Sequence, residues 1–273
     1  MITGKEKIKI GLVGCGAIGE GVALFIDREL KDKAILWGLA DRDAEKAELL
    51  IEKLSFVPKI TNINNIVKNA DLVIEAASIE AAKEVLGRTI AEKKDVIILS
   101  VGALIENLSI LEKAKKKGAS IYVPSGAICG VDGLGALSLG VIKKISLTTS
   151  KPPRGLLGVE YLKKKKMDLT SLEKEKIVFK GNVKEAIRHF PQNINVAAIL
   201  LLASSFKKVE VCIKADPAVK RNIHNIEIDA EEAKVSIKVE NVPSKANPKT
   251  STLAILSTQY LLKKIFSPLK IGS

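Results

Sequence analysis

The feature that most restricts what this chain can fold into lies in its first 41 residues. An apolar run of strand length, Lys7-Ile8-Lys9-Ile10-Gly11-Leu12-Val13, leads into Gly14-Cys15-Gly16-Ala17-Ile18-Gly19. Glu20 to Leu30 then carries apolar residues at helical spacing, Val22, Ala23, Ile26 and Leu30. A GxGxxG between a strand and a helix predicts a dinucleotide-binding unit. Gly14 permits the tight turn, Gly16 lets the backbone approach a pyrophosphate, and Gly19 lets helix and strand pack closely. The amides at the helix start, from Ala17 and Ile18 onward, then face the phosphates. A second strand, Ala34 to Ala40, ends at Asp41, 22 positions after Gly19. A carboxylate there accepts hydrogen bonds from ribose hydroxyls and repels a 2′-phosphate, which favours NAD. Arg42 beside it can pair with that phosphate, so NADP stays open.

The alternation continues. Helix is expected over residues 43–53, strand over 69–77, helix over 79–92, strand over 95–103, helix over 109–117 and a closing strand over 120–124. Such a pattern predicts a parallel sheet with right-handed crossovers. After Pro124 the character changes. A Gly-rich stretch, Ser125 to Gly135, should lead a loop into a helix. Strand-like runs follow at 143–150, 177–181, 208–215, 222–229 and 233–240, interrupted by a helix at about 193–205. A last helix is expected over 251–266. The fold class is therefore α/β: an N-terminal Rossmann-type parallel sheet with a second α+β domain of mostly antiparallel sheet.

Composition sets the wider class. With 47% hydrophobic and 27% charged residues the chain reads as globular. No run approaches the roughly 20 apolar residues that span a bilayer, and no signal peptide is seen, so no membrane role and a cytoplasmic location are expected. Three cysteines without a CxxC pair suggest free thiols, with neither a disulfide framework nor a zinc site. The formal charge of +13 raises nucleic-acid binding. The basic residues are spread out and aromatics are only 4%, so a cationic surface without specific nucleic-acid recognition is expected.

Beyond the fingerprint, several motifs resemble the L-aspartate dehydrogenase family: Pro124-Ser125-Gly126-Ala127-Ile128, Ser150-Lys151-Pro152-Pro153, Phe190 to Ala198, Asp216-Pro217, Asn222-Ile223-His224 and Asn247-Pro248-Lys249-Thr250-Ser251. Together they span nearly the whole chain. The resemblance implies NAD- or NADP-dependent oxidation of L-aspartate to iminoaspartate, which hydrolyses to oxaloacetate and ammonia or feeds NAD synthesis. It implies an active site in an interdomain cleft and a homodimer. It places the catalytic histidine on His224 and cofactor contacts on Ala127 and Asn195. It returns the last helix to the first domain, giving a dinucleotide-binding domain of 1–123 plus 246–273 and a catalytic domain of 124–245.

Only two histidines exist. His224 lies in a polar stretch entering a strand, and an imidazole there can take a proton from the substrate ammonium or from attacking water. His189 reads as structural. Asn195 starts a helix and suits an N-cap, a contact to nicotinamide or substrate, or both; Asn193 is the neighbouring alternative. The two substrate carboxylates need cations or N–H groups, for which Lys249, Thr250 and Ser251 are candidates beside a plain capping role. Lys151 and Arg154, in a Pro-rich turn, read as surface. No metal motif is present. The competing readings are a dehydrogenase or reductase of another amino acid or cyclic imine, and a non-catalytic NAD(P)-binding regulator. Aspartate-semialdehyde-type chemistry would need a catalytic cysteine, for which Cys129 is only a weak candidate.

Overall fold

The computed structural model describes residues 6–190, 194–205 and 207–272. Its chain divides into two compact units, Met1–Pro124 with Ile255–Lys270, and Ser125–Ala254 with Ile271–Ser273.

The first unit is built from β1 (Ile8–Val13), α1 (Ala17–Glu29), β2 (Ala34–Ala40), α2 (Ala44–Ile51), β3 (Lys59–Ile60), α3 (Ile63–Asn69), β4 (Leu72–Glu75), α4 (Ile79–Ala91), β5 (Asp95–Ile98), α5 (Gly102–Glu106), α6 (Ser109–Lys117) and β6 (Ile121–Tyr122). The strands form one parallel sheet in the order β3-β2-β1-β4-β5-β6. Sequence order runs outward in opposite directions from the β1–β4 pair. That reversal is the switch point, outside whose strand C-termini such sheets bind ligands. Ile10, Leu12, Leu36, Leu39, Ile74 and Ile97 are fully buried between the layers, as a sheet covered on both faces requires. Three elements, β3, α3 and α5, were not expected. All are too short to show a period, although Asn62 caps α3 by accepting from the Asn65 amide at 3.0 Å. The strand expected over 95–103 stops at Ile98, its last residue paired with β4. Gly102 and Ala103 already belong to α5.

The second unit contains α7 (Val131–Leu137), β7 (Ile142–Lys151), a short 3₁₀ turn (Pro153–Leu156), α8 (Glu160–Lys164), β8 (Lys176–Asn182), α9 (Val183–His189), α10 (Asn195–Ala203), β9 (Val209–Ala215), β10 (Asn222–Ala230) and β11 (Lys234–Asn241). Its sheet runs β11-β10-β7-β9-β8, antiparallel at every pairing but the parallel β7–β9. Alternation along the strands marks one covered face: Ile145, Leu147, Thr149 and Lys151 on β7, Val209, Val211, Ile213 and Ala215 on β9, and His224, Ile226, Ile228 and Ala230 on β10 are all buried. Helix α9 packs on β8 and β9, and α10 on β9. Neither α8 nor α9 was expected. A capping box between Asn182 and Glu185 starts α9, a signal readable without periodicity.

The last helix, α11 (Thr252–Phe266), counts with the first unit from Ile255 onward. Its Leu262 is fully buried in the core of the first unit, and Gln259 Nε2 donates to the Gly21 carbonyl at 2.8 Å. Residues 246–254, expected with the first domain, count instead with the second unit. The reason is local bonding: Ser251 bridges Pro243, and the Ser244 amide donates to the Thr250 carbonyl at 2.7 Å.

Candidate active site

In the first unit the glycines at the end of β1 shape a cradle. Gly14 has φ +101, and a side chain there would strike the Ala76 carbonyl oxygen at 2.5 Å. A Cβ at Gly19 would lie 1.9 Å from the Gly14 oxygen, so the helix start sits directly on the turn. At Gly16, by contrast, a Cβ would meet nothing within 4 Å. Gly16 is the N-cap of α1, which has no side-chain cap. The open helix start has room and N–H groups for an anion. Asp41 stands beside it. Its Oδ2 accepts from the Cys15 amide at 2.6 Å and its Oδ1 from the Asp43 amide at 2.9 Å. Two amides hold the carboxylate in place and leave acceptor capacity for ribose hydroxyls. Arg42 is exposed. A nicotinamide dinucleotide fits this donor set: amides for the pyrophosphate and a fixed carboxylate for the ribose. Burial, with the charge of Asp41, pushes the Cys15 thiol up to about 12, which leaves it inert as a nucleophile.

A second carboxylate in this unit was missed by the sequence reading. Glu75, the last residue of β4, is wholly buried. Its Oε1 accepts from the Ala77 amide at 2.8 Å and the Ser100 hydroxyl at 2.8 Å, and its Oε2 from the Ser100 amide at 3.0 Å. Burial raises its pKa and the bonds from Ser100 and Ala77 oppose that rise. Glu75 thus ties the loop after β4 to the loop after β5, and Ala76 in the same loop abuts Gly14. An acidic residue ending an apolar strand was the available signal.

In the second unit the two basic side chains of interest share the covered sheet face. His224 pairs across with Thr149, and His224 Nδ1 lies 2.9 Å from Thr149 Oγ1. His224 is 5% exposed. Burial first, and the charge of Lys151 second, push the imidazole down to about 3, so it is neutral under ordinary conditions. Lys151, two residues beyond Thr149, is 7% exposed, and burial lowers its ammonium to about 8. The expectation that Lys151 is a surface residue is therefore wrong. The strand runs one residue further than expected, and its alternation turns Lys151 inward. The parity of Ile145, Leu147 and Thr149 was the signal. Arg154 is exposed as expected. It borders an open groove of about 650 Å³ whose walls include Pro152, Leu169, Pro217 and Lys220, and His224 is not among them.

The remaining candidates separate. Ala127 is partly buried, and its carbonyl accepts from Asn241 Nδ2 at 3.0 Å. Asn241 is buried, another residue the sequence did not single out, and its Oδ1 accepts from the Ser251 hydroxyl. Ser251 Oγ in turn accepts from the Leu253 amide at 3.1 Å, and the Lys249 amide donates to Asn247 Oδ1 at 3.0 Å. Lys249 is exposed and Thr250 partly buried. The capping role of Asn247–Ser251 is thus directly visible. Asn195 is the exposed first residue of α10, and Ile194 holds the N-cap position, so Asn195 is not the cap. Asn193 lies outside the described residues. His189 packs against Tyr161 at 4.3 Å between ring centroids, within a cluster including Phe179 and Phe190.

Comparison with known proteins follows the same division. Residues 132–265 match the family model described as aspartate dehydrogenase, C-terminal, and residues 14–124 match that described as homoserine dehydrogenase, NAD binding domain. An L-aspartate dehydrogenase of Methanosarcina mazei is 41% identical over 271 residues, covering 97% of this chain and all of the relative. One from Methanosarcina barkeri is 39% identical with the same coverage. Among solved structures, the crystal structure of aspartate dehydrogenase from Thermotoga maritima superposes with a TM-score of 0.74 at 26% identity, covering 98% of this chain and 100% of that one.

Proposed function

We infer the activity from a plain premise: the chain belongs to the L-aspartate dehydrogenase family. It oxidises L-aspartate at the Cα–N bond with NAD or NADP. The observation that carries the reading is His224, a buried neutral imidazole held by Thr149 on the covered face of a sheet whose unit matches the aspartate dehydrogenase model.

The oxidised nicotinamide supplies the acceptor for the two electrons and one hydrogen that leave Cα. The chain's own residues handle binding and protons. The amides at the start of α1 take the pyrophosphate, and Asp41 takes the ribose hydroxyls. Arg42, next in sequence and exposed, would donate to a 2′-phosphate if NADP is used. Ala127 and Asn195 contribute further cofactor contacts, and Asn193, Lys249, Thr250 and Ser251 are the candidate substrate contacts. The C–H bond at Cα breaks only when the nitrogen lone pair is free to form the C=N bond. A base must therefore remove one proton from the substrate ammonium. In the tautomer with hydrogen on Nδ1, His224 donates to Thr149 Oγ1 and offers its Nε2 lone pair for that proton. Once that proton has passed to solvent, Nε2 is free to take a proton from the water that adds to the imine carbon; the carbinolamine so formed expels ammonia and leaves oxaloacetate.

We place the enzyme in the cytosol as a homodimer. The free thiols of Cys15, Cys129 and Cys212 support a reducing compartment, and the family likeness supports the dimer. The activity is tested by incubating pure protein with a panel of L-amino acids and either NAD or NADP while following the reduced nicotinamide. Turnover on L-aspartate is the expected result; turnover confined to another amino acid overturns the substrate assignment.

A further inference from the structure

Lys151 has no role in the reading above, yet it is buried on the same sheet face as the candidate base. The register shows why it matters. His224 faces Thr149 directly across the β7–β10 pair. Lys151 follows Thr149 by two residues on β7, so all three side chains share one face. Residues two apart on a strand are separated by about 6.6 Å, and directly paired side chains by roughly 5 Å at Cβ. Lys151 carries its charge on a four-carbon stem, so its head sits within reach of a small molecule held at the imidazole. The flanking positions of that face are apolar: Leu147, Ile213, Ala215 and Ile226 are all buried. The result is two basic side chains on one covered sheet face, with Thr149 beside them and apolar residues around.

We propose that Lys151 is a substrate-binding residue whose ammonium receives a carboxylate of the amino-acid substrate while His224 serves its amino group. The inference rests on the proposed aspartate oxidation. The amino nitrogen and a carboxylate of aspartate are joined through one or two carbons, which matches a base and a cation placed side by side on one sheet face. Binding also readies the base. Burial holds His224 down first and the Lys151 charge second; a carboxylate beside Lys151 offsets the second, so the imidazole gains some proton affinity when substrate arrives.

The test compares wild type with Lys151→Met, which keeps the stem and removes the charge, and with Lys151→Arg. Three readouts are taken: steady-state kinetics on L-aspartate, NADH affinity by fluorescence, and binding of succinate, an unreactive dicarboxylate, to the NADH-loaded protein by calorimetry. Loss of a charge-assisted contact predicts a KM for L-aspartate raised about 10- to 100-fold and succinate affinity weakened by a similar factor. NADH affinity should stay within twofold, and Lys151→Arg should recover part of the loss. A Lys151→Met protein that binds NADH but keeps its KM and succinate affinity within threefold overturns the proposal. A fall confined to kcat also overturns it, because it makes Lys151 a proton-handling group. Wild type that binds succinate through Lys151 yet leaves L-aspartate unoxidised overturns the aspartate reading and keeps the carboxylate site.

Discussion

The cofactor cradle and the His224 face are built by opposite means. The cradle is made mostly of backbone. Gly14 and Gly19 bring chain segments together, and amides of Cys15 and Asp43 fix one carboxylate. It sits at strand ends, where loops lie near solvent. The His224 face is made of side chains in the middle of a sheet. Its residues come from two strands 75 positions apart and are set by register alone. A backbone site tolerates variation in most side chains and fails when a Cβ intrudes. A register site fails when one side chain changes charge or shape.

The sharpest way to break this contrast is within the glycines. Gly19→Ala places a Cβ against the Gly14 oxygen, so the turn must shift; NADH affinity should fall at least tenfold, and overpacking should cost about 1–3 kcal/mol of stability. Gly16→Ala meets no protein atom within 4 Å. It should weaken NADH binding while leaving the melting temperature within about one degree. Equal loss of stability in both variants, read by thermal unfolding, would show that the cradle is not open at Gly16.

A smaller effect is expected at Asp41. Asp41→Asn keeps a carbonyl oxygen for the loop amides and removes the charge that repels a 2′-phosphate. The ratio of kcat/KM for NADP over NAD should rise about tenfold or more. An unchanged ratio would remove Asp41 from cofactor choice.

The smallest predicted effect lies on the other face and concerns pH. His224 is held down to about 3 when folded, against about 6.5 in the unfolded chain. Between those values the unfolded state binds the extra proton, so stability falls as pH drops through that window. The loss attributable to His224 is roughly 2 kcal/mol from pH 7 to pH 5. Lys151, held at about 8 against 10.5, acts in the same direction at the alkaline end: stability should rise between pH 8 and 10.5. Urea unfolding of wild type and His224→Asn at pH 7 and 5 checks the first part. Equal pH dependence in the two proteins would show that the ring is not held neutral.

The contrast also explains what the sequence disclosed. Glycines, a spaced acid and strand–helix alternation are local signals, and the residues they single out, Gly14, Gly16, Gly19 and Asp41, come together around one turn. Strand boundaries in the second unit were close as well, since alternation of Ile145, Leu147 and Thr149 is itself a local pattern. What stayed hidden depends on tertiary context. Lys151 looked like a turn residue because Pro152 follows it, and Glu75 looked like the polar end of a strand. Helices α8 and α9 are too short for a hydrophobic period to stand out. His224 was picked out by chemistry and family likeness; its bond to Thr149 needs the β7–β10 register, which no single segment contains.

The central claim is that His224 takes the proton that frees the substrate nitrogen. The most direct test is the rate of nicotinamide reduction in a single turnover, comparing His224→Asn with wild type at saturating L-aspartate. A rate lower by about 10²- to 10⁴-fold is expected, with NADH affinity unchanged. A rate within threefold of wild type would contradict it.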